Sequence, residues 1–288
     1  MKVLCFVLAL TWLLTAGGAA PGLHLDVRFD TGVVFSEPSG QALELNIAQP
    51  QNAGTTPRPA ILCIHGGGFR AGKRERYDEL CIELAGRGYV AATVSYRLAP
   101  RFAFPAAVID CKAAIRWLRA NANRYNINSD RIGVMGESAG GHLAQFLGVT
   151  ADVREFDVGC HLDQGSWVAC VVSHFGPSDL SRSYGRSVDA GVVLPMFFGG
   201  RLETHFRAHI RGSPLYWVTP NAAPTLVIQG TRDDRVGYEQ AVWLVDRLHA
   251  AQVEVELMTI PGAGHGFSGD DAKRVQAATF AFFDRHLK

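Results

Sequence analysis

The chain has 288 residues, 48% of them hydrophobic and 19% charged, with a formal net charge of +1 at pH 7. That size and balance suit one globular domain with a large core, and no linker, composition shift or repeat divides it. Near-neutral charge without a basic run excludes an electrostatic footprint for nucleic acid or an anionic membrane surface, so the expected partner is a small or uncharged molecule.

The first twenty residues read as a signal peptide: Lys2, an apolar stretch from Val3 to Leu14, then small residues from Ala16 to Ala20. The apolar stretch is shorter than the roughly 20 residues of a membrane span. The expectation is therefore cleavage and export to a periplasmic or extracellular location, without stable membrane insertion, leaving a domain over 21–288. An uncleaved interfacial anchor is the alternative. Removal of the leader would leave Cys63, Cys81, Cys111, Cys160 and Cys170. The first three lie in apolar stretches, as small hydrophobes do. Cys160 and Cys170 flank a short polar segment, which leaves a disulfide between them open. No Cys and His grouping has the spacing of a zinc site.

From Leu23 to Ile47, apolar and polar residues alternate on either side of a turn at Pro38, Ser39 and Gly40, which predicts an antiparallel hairpin at one sheet edge. Beyond it, short continuously apolar runs alternate with helical stretches, the pattern of parallel strands buried on both faces. Strands are predicted over 60–64, 90–95, 132–135, 168–173, 225–229 and 255–259, and helices near 76–87, 104–124, 139–148, 238–250 and 271–287. The fold class is α/β. The irregular stretch from Gly176 to Asn221 is too long for an ordinary loop and reads as a small cap.

Three motifs sit at predicted strand ends. His65-Gly66-Gly67-Gly68-Phe69 follows the first parallel strand, where glycines would bring backbone N–H groups close to a developing oxyanion. Gly67 and Gly68 are the candidate donors, joined by the N–H of Ala139; His65 is read as pinning the loop. A phosphate cradle is disfavoured, since no Lys-Ser/Thr end follows. Gly136-Glu137-Ser138-Ala139-Gly140 carries the G-x-S-x-G pattern between a strand and a helix, as a nucleophile elbow requires. Ser138 is the candidate nucleophile, while Glu137 and His142 are read as structural. The acid and base are expected after late strands: Asp233 after the strand over 225–229, with Asp234 the solvated neighbour, and His265 among the glycines after the last strand.

These stretches, with Ser95-Tyr96-Arg97-Leu98-Ala99-Pro100, Phe104-Pro105-Ala106-Ala107, Asp130-Arg131-Ile132 and Phe175-Gly176-Pro177-Ser178-Asp179, resemble hormone-sensitive-lipase-like and acetylxylan or feruloyl esterase-like (BD-FAE-type) α/β-hydrolases. The resemblance implies the α/β-hydrolase fold: a mostly parallel sheet with an N-terminal antiparallel edge, helices on both faces and a small cap insertion. It also implies ester hydrolysis through an acyl-enzyme, with no metal and no organic cofactor. Hormone-sensitive-lipase relatives usually carry a helical cap before the H-G-G-G loop, whereas here that stretch is short and strand-like. The likeness therefore leans toward esterases of short-chain or aromatic acyl groups, such as acetyl or feruloyl groups of plant polysaccharide. Phe69, His174, Phe197, Phe198 and Phe267 are then candidates for an acyl or aromatic pocket. Two rival functions use the same parts, an amide hydrolase of formamidase or peptidase type and a non-catalytic binder.

Overall fold

A computed structural model describes residues 26–51 and 54–288. The leader expected over 1–20 lies outside the described residues. Among the described residues, no helix is long and apolar enough to cross a membrane.

The strands are β1 (Val27–Ser36), β2 (Leu43–Pro50), β3 (Arg58–Ile64), β4 (Val90–Val94), β5 (Ile127–Glu137), β6 (Cys170–His174), β7 (Thr225–Gly230) and β8 (Val255–Ile260). They form one sheet in the order β1-β2-β4-β3-β5-β6-β7-β8. β2 pairs antiparallel with β1 and with β4, and every pairing from β4 to β8 is parallel. The helices are α1 (Asp78–Gly86), α2 (Ala106–Ala120), α3 (Ala122–Tyr125), α4 (Ala139–Val149), α5 (Ala190–Phe198), α6 (Leu202–Arg211), α7 (Glu239–Ala250) and α8 (Gly269–Leu287). A parallel sheet with an antiparallel edge and helices around it is the α/β-hydrolase arrangement.

The central strands are mostly apolar because both faces are covered, and the polar residues they hold, such as Thr93, Thr225 and Gln229, are buried too. Every residue of β4 and β7 is buried. Alternation along each strand divides the core in two. Leu62, Ile64 and Val134 face α2 and α4, packing with Leu118, Leu143 and Phe146. Ile61, Cys63 and Met135 face α1 and α8, packing with Leu84, Phe282 and Phe283. That division rules out the disulfide left open above. Cys170 is buried in the second cluster, whereas Cys160 packs against the first and places its thiol 3.5 Å from the Phe35 carbonyl; both are free.

Two departures from the predicted elements have local causes. The helix expected over 104–124 begins after Pro105 and breaks at Asn121, whose side-chain amide donates to the Trp117 carbonyl at 2.9 Å and so competes with the helical ladder. The stretch over 176–221 holds two helices that the sequence pattern did not indicate. α5 is apolar with an internal Pro195, and α6 contains a non-helical His205. The root of this stretch is tied to α7. The Gln240 side chain accepts the Ser178 and Asp179 N–H groups at 2.9 and 2.7 Å and donates to the Asp179 carbonyl at 2.9 Å. The buried Asp179 carboxylate in turn accepts the hydroxyls of Ser181 and Tyr216 at 2.6 and 2.8 Å.

Candidate active site

Ser138 occupies the single residue between β5 and α4, at φ 52° and ψ −120°. A non-glycine residue in this region costs on the order of 1–3 kcal/mol, so its surroundings must impose it. Its N–H donates to the His174 carbonyl at 2.9 Å, and its carbonyl accepts the His142 N–H at 2.9 Å. The flanking glycines are required by contact. A Cβ on Gly140 would stand 2.0 Å from the Ile64 carbonyl oxygen, and one on Gly136 would stand 2.4 Å from the Gly140 carbonyl. Strand, turn and helix close up only where these side chains are hydrogen.

The loops after β7 and β8 are brought together in the same way. A Cβ on Gly230 would lie 2.4 Å from the Ala263 carbonyl oxygen, and the Arg232 N–H donates to that oxygen at 2.9 Å. The loops thereby present Asp233 and His265 to each other and to Ser138. His265 Nδ1 lies 2.8 Å from Asp233 Oδ2, and His265 Nε2 lies 2.9 Å from Ser138 Oγ. The Asp233 carboxylate is fully buried, and every further contact is a donor: Arg235 N–H at 3.0 Å, Val236 N–H at 2.9 Å and Gln229 Nε2 at 3.0 Å. Such a shell keeps a carboxylate in one orientation. Asp234 is exposed, and its carbonyl accepts the Val188 N–H of the cap at 3.0 Å. An imidazole between a hydroxyl and a buried carboxylate can take a proton from the one while the other fixes its tautomer.

Beside Ser138, the loop after β3 runs through positive φ at Gly67 (119°), Gly68 (60°) and Phe69 (60°). At Gly67 a Cβ would meet the Ala71 carbonyl oxygen at 2.1 Å. Among the described residues no acceptor engages the N–H groups of Gly67 or Gly68. The N–H of Ala139, first in α4, also lacks a helical acceptor, as every first-turn N–H does. All three residues border one cavity with Ser138 and His265. His65 pins the loop from behind: Nδ1 lies 2.8 Å from the Gly66 carbonyl, the ring stacks on Tyr96 at 4.4 Å, and burial lowers its pKa so that it stays neutral.

The cavity measures about 850 Å³, with Ser138 and His265 in its wall. One lobe lies under α5, against Phe69, Leu180, Val193 and Leu194; the other lies between α1 and α8, against Leu80, His174, Phe267 and Val275. Phe69, His174 and Phe267 thus line it as expected. Phe197 and Phe198 do not, and this corrects the sequence reading. Ala190, Val193 and Leu194 share the cavity face of α5, while Phe197 stacks behind Phe69 at 3.9 Å and Phe198 packs on His209 at 4.0 Å. His174 Nε2 is 3.1 Å from Thr279 Oγ1, and burial pushes its pKa down to about 4. His142 is likewise structural, its Nδ1 3.0 Å from the Pro177 carbonyl and its pKa pushed down to about 4 by burial. Glu137 is ion-paired with Arg76 at the cavity wall.

Several wall residues escaped the sequence reading. Phe175 sets its ring edge against His265 at 4.7 Å, and its position two residues past a predicted strand is the available signal. Arg70 and Arg235 also line the cavity; each follows a motif that drew attention to its neighbours.

Residues 45–248 match the family model BD-FAE. Esterase LipC of Mycobacterium tuberculosis is 32% identical over 249 residues, covering 84% of this chain and 60% of that protein. The ethyl acetate hydrolase of Pseudomonas putida is 31% identical over 220 residues, 76% of this chain and 69% of that protein. The chain therefore spans only three fifths of the length of LipC. Among solved structures, a truncated carbohydrate esterase from gut microbiota superposes with a TM-score of 0.78 at 27% identity, over 94% of this chain and 99% of that one. On the extent of the family match and the shared fold, the chain belongs to the BD-FAE family of α/β-hydrolases.

Proposed function

We propose that the protein is a serine carboxylic ester hydrolase acting through an acyl-enzyme on short-chain or aromatic acyl esters. The observation that carries this reading is the continuous relay from Ser138 Oγ through His265 to Asp233, at 2.9 and 2.8 Å, opening into a cavity of substrate size. Ser138 Oγ attacks the ester carbonyl carbon as His265 Nε2 takes its proton. Asp233 stabilises the imidazolium that forms, and the N–H groups of Gly67, Gly68 and Ala139 receive the oxyanion. Collapse breaks the bond to the alcohol oxygen, which leaves with the proton from His265. Water then attacks the acyl-enzyme with His265 again as base, releasing the acid and restoring Ser138.

The names of the relatives support small acyl groups, one being an ethyl acetate hydrolase and another a carbohydrate esterase. Leu180, Val193 and Leu194 offer such a group an apolar wall. Initial rates on acetyl, butyryl, decanoyl and feruloyl esters beside a matched anilide test the reading, together with adduct mapping after an organophosphonate probe. Ester cleavage with the adduct on Ser138 is expected. Anilide cleavage without ester cleavage would make the protein an amidase, and no adduct with no turnover would make it a binder.

A further inference from the structure

The charges around the cavity are unevenly neutralised between its two lobes. Its charged wall residues are Arg70, Arg76, Arg235 and Lys273 against Glu137 and Asp189. In the lobe between α1 and α8 both cations have acids: Arg76 pairs with Glu137, and Lys273 lies 2.9 Å from Asp270. In the lobe under the cap, among the described residues, neither Arg70 nor Arg235 has an acid partner. Asp189, the acid there, accepts the Ser187 hydroxyl at 3.1 Å and stands at the N-terminal end of α5, whose dipole offsets its charge.

Both arginines belong to segments fixed beside the reacting groups. Arg70 turns back along the oxyanion loop, its Nε 3.9 Å from where a Cβ on Gly68 would stand and so on the side of the loop that faces Val193. The Arg235 N–H donates to Asp233 at 3.0 Å, and the neighbouring Asp234 carbonyl holds the cap at Val188. Two guanidinium groups without acids thus border one cavity on segments that meet at Ser138 and His265, and a guanidinium binds a carboxylate through two parallel N–H donors.

We propose that the cap lobe selects esters bearing a carboxylate, held between Arg70 and Arg235 while Ser138 acts on the ester bond. The inference rests on the esterase reading and narrows its substrate class to anionic esters. The test measures kcat/KM on matched pairs. Butyrate against hemisuccinate 4-nitrophenyl esters place the charge on the acyl side; phenyl acetate against 4-acetoxybenzoate place it on the leaving group. The expected result is a preference for the anionic member of at least one pair, the pair showing which half of the substrate enters the cap lobe. Arg70→Gln and Arg235→Gln should each cut the anionic-to-neutral ratio by about tenfold, as loss of a charged hydrogen-bonding partner does. Arg→Lys at either site should retain part of the preference, and added NaCl should weaken it. Because the ratio is taken within each variant, general damage to folding cancels. Neutral esters cleaved with no preference, or a ratio that neither glutamine variant moves, would overturn the inference and leave the esterase reading intact. Cleavage of no ester would overturn that reading instead.

Discussion

At the carboxyl ends of β5, β7 and β8, side chains are held by groups that cannot move far: Asp233 accepts two backbone N–H groups, an amide and an imidazole, and Ser138 is locked at both its N–H and its carbonyl. The cap over 176–221 is different. Its root at Asp179 is tied down by buried hydrogen bonds, but Val188, Val192 and Phe206 remain exposed by 70%, 56% and 57%. Positions that place the reacting atoms are over-determined by hydrogen bonds, while those that meet the substrate sit on an insertion anchored by apolar packing of its inner face, with its outer face in solvent. A single change should therefore abolish turnover at the strand ends and alter selectivity in the cap.

The largest effect is expected at Ser138. Ser138→Ala removes the attacking oxygen and, since relay members act as a unit, should lower kcat by on the order of 10⁶. Circular dichroism should stay native because no packing is lost. Residual turnover above about one per cent would place the nucleophile elsewhere. Asp233→Asn keeps the shape but substitutes a group that can present an N–H to Nδ1, and should cost about 10⁴-fold in kcat. Asp234→Asn is expected to leave kcat within about twofold, since that side chain is exposed. Equal losses in the two variants would refute the assignment. Gly67→Ala should lower kcat by about 10²–10³ through displacement of an oxyanion donor, because φ 119° and the Ala71 carbonyl leave no room for a methyl group.

The same contrast explains what could be read from the sequence. Glycine spacing announced the Ser138 turn because the packing of β3 against α4 leaves a gap that only hydrogen fills, at positions two residues either side. Short, continuously apolar runs announced β3, β4 and β7 because both faces of each are covered. Phe197 and Phe198 were assigned to the pocket because composition does not say which way a short helix turns. That orientation comes from Phe69 and Phe104, distant in sequence and stacked or edge-on against Phe197. The break at Asn121 was hidden for the opposite reason: apolar spacing continues across it, and a single amide decides the boundary. Arg70 and Arg235 were passed over because their significance is the absence of acids across the cavity, a relation no local pattern carries.

Between the two regions lies the layer beneath Phe69, and there stability rather than rate should respond. Phe197→Ala would empty a fully buried ring site beneath the cavity wall and should cost about 3–5 kcal/mol in urea unfolding. Val192→Ala, on the exposed side of the same helix, should stay within about 0.5 kcal/mol. Similar losses at both would mean that α5 is held by its outer face.

The smallest effect concerns His142, under the elbow. Its Nδ1 is satisfied by the Pro177 carbonyl, Nε2 has no partner among the described residues, and the ring is fully buried. Protonation would place an N–H and a charge where nothing receives them, which is why burial holds its pKa down to about 4, below the ordinary 6.5. The folded-state value is the depressed one, so below 6.5 the unfolded chain takes up a proton that the fold refuses. His142 therefore contributes its full stability above pH 6.5 and loses it as pH falls toward 4, at about 1.4 kcal/mol per pH unit between those limits. His65 and His174, also lowered by burial, add in the same direction. Urea unfolding at pH 7, 6 and 5 should show a shallower acid loss in His142→Asn than in the parent, because asparagine can still donate to Pro177 but has no proton to gain. Parallel losses in the two proteins would mean that the acid sensitivity originates elsewhere, with His65 and His174 the next sites to substitute.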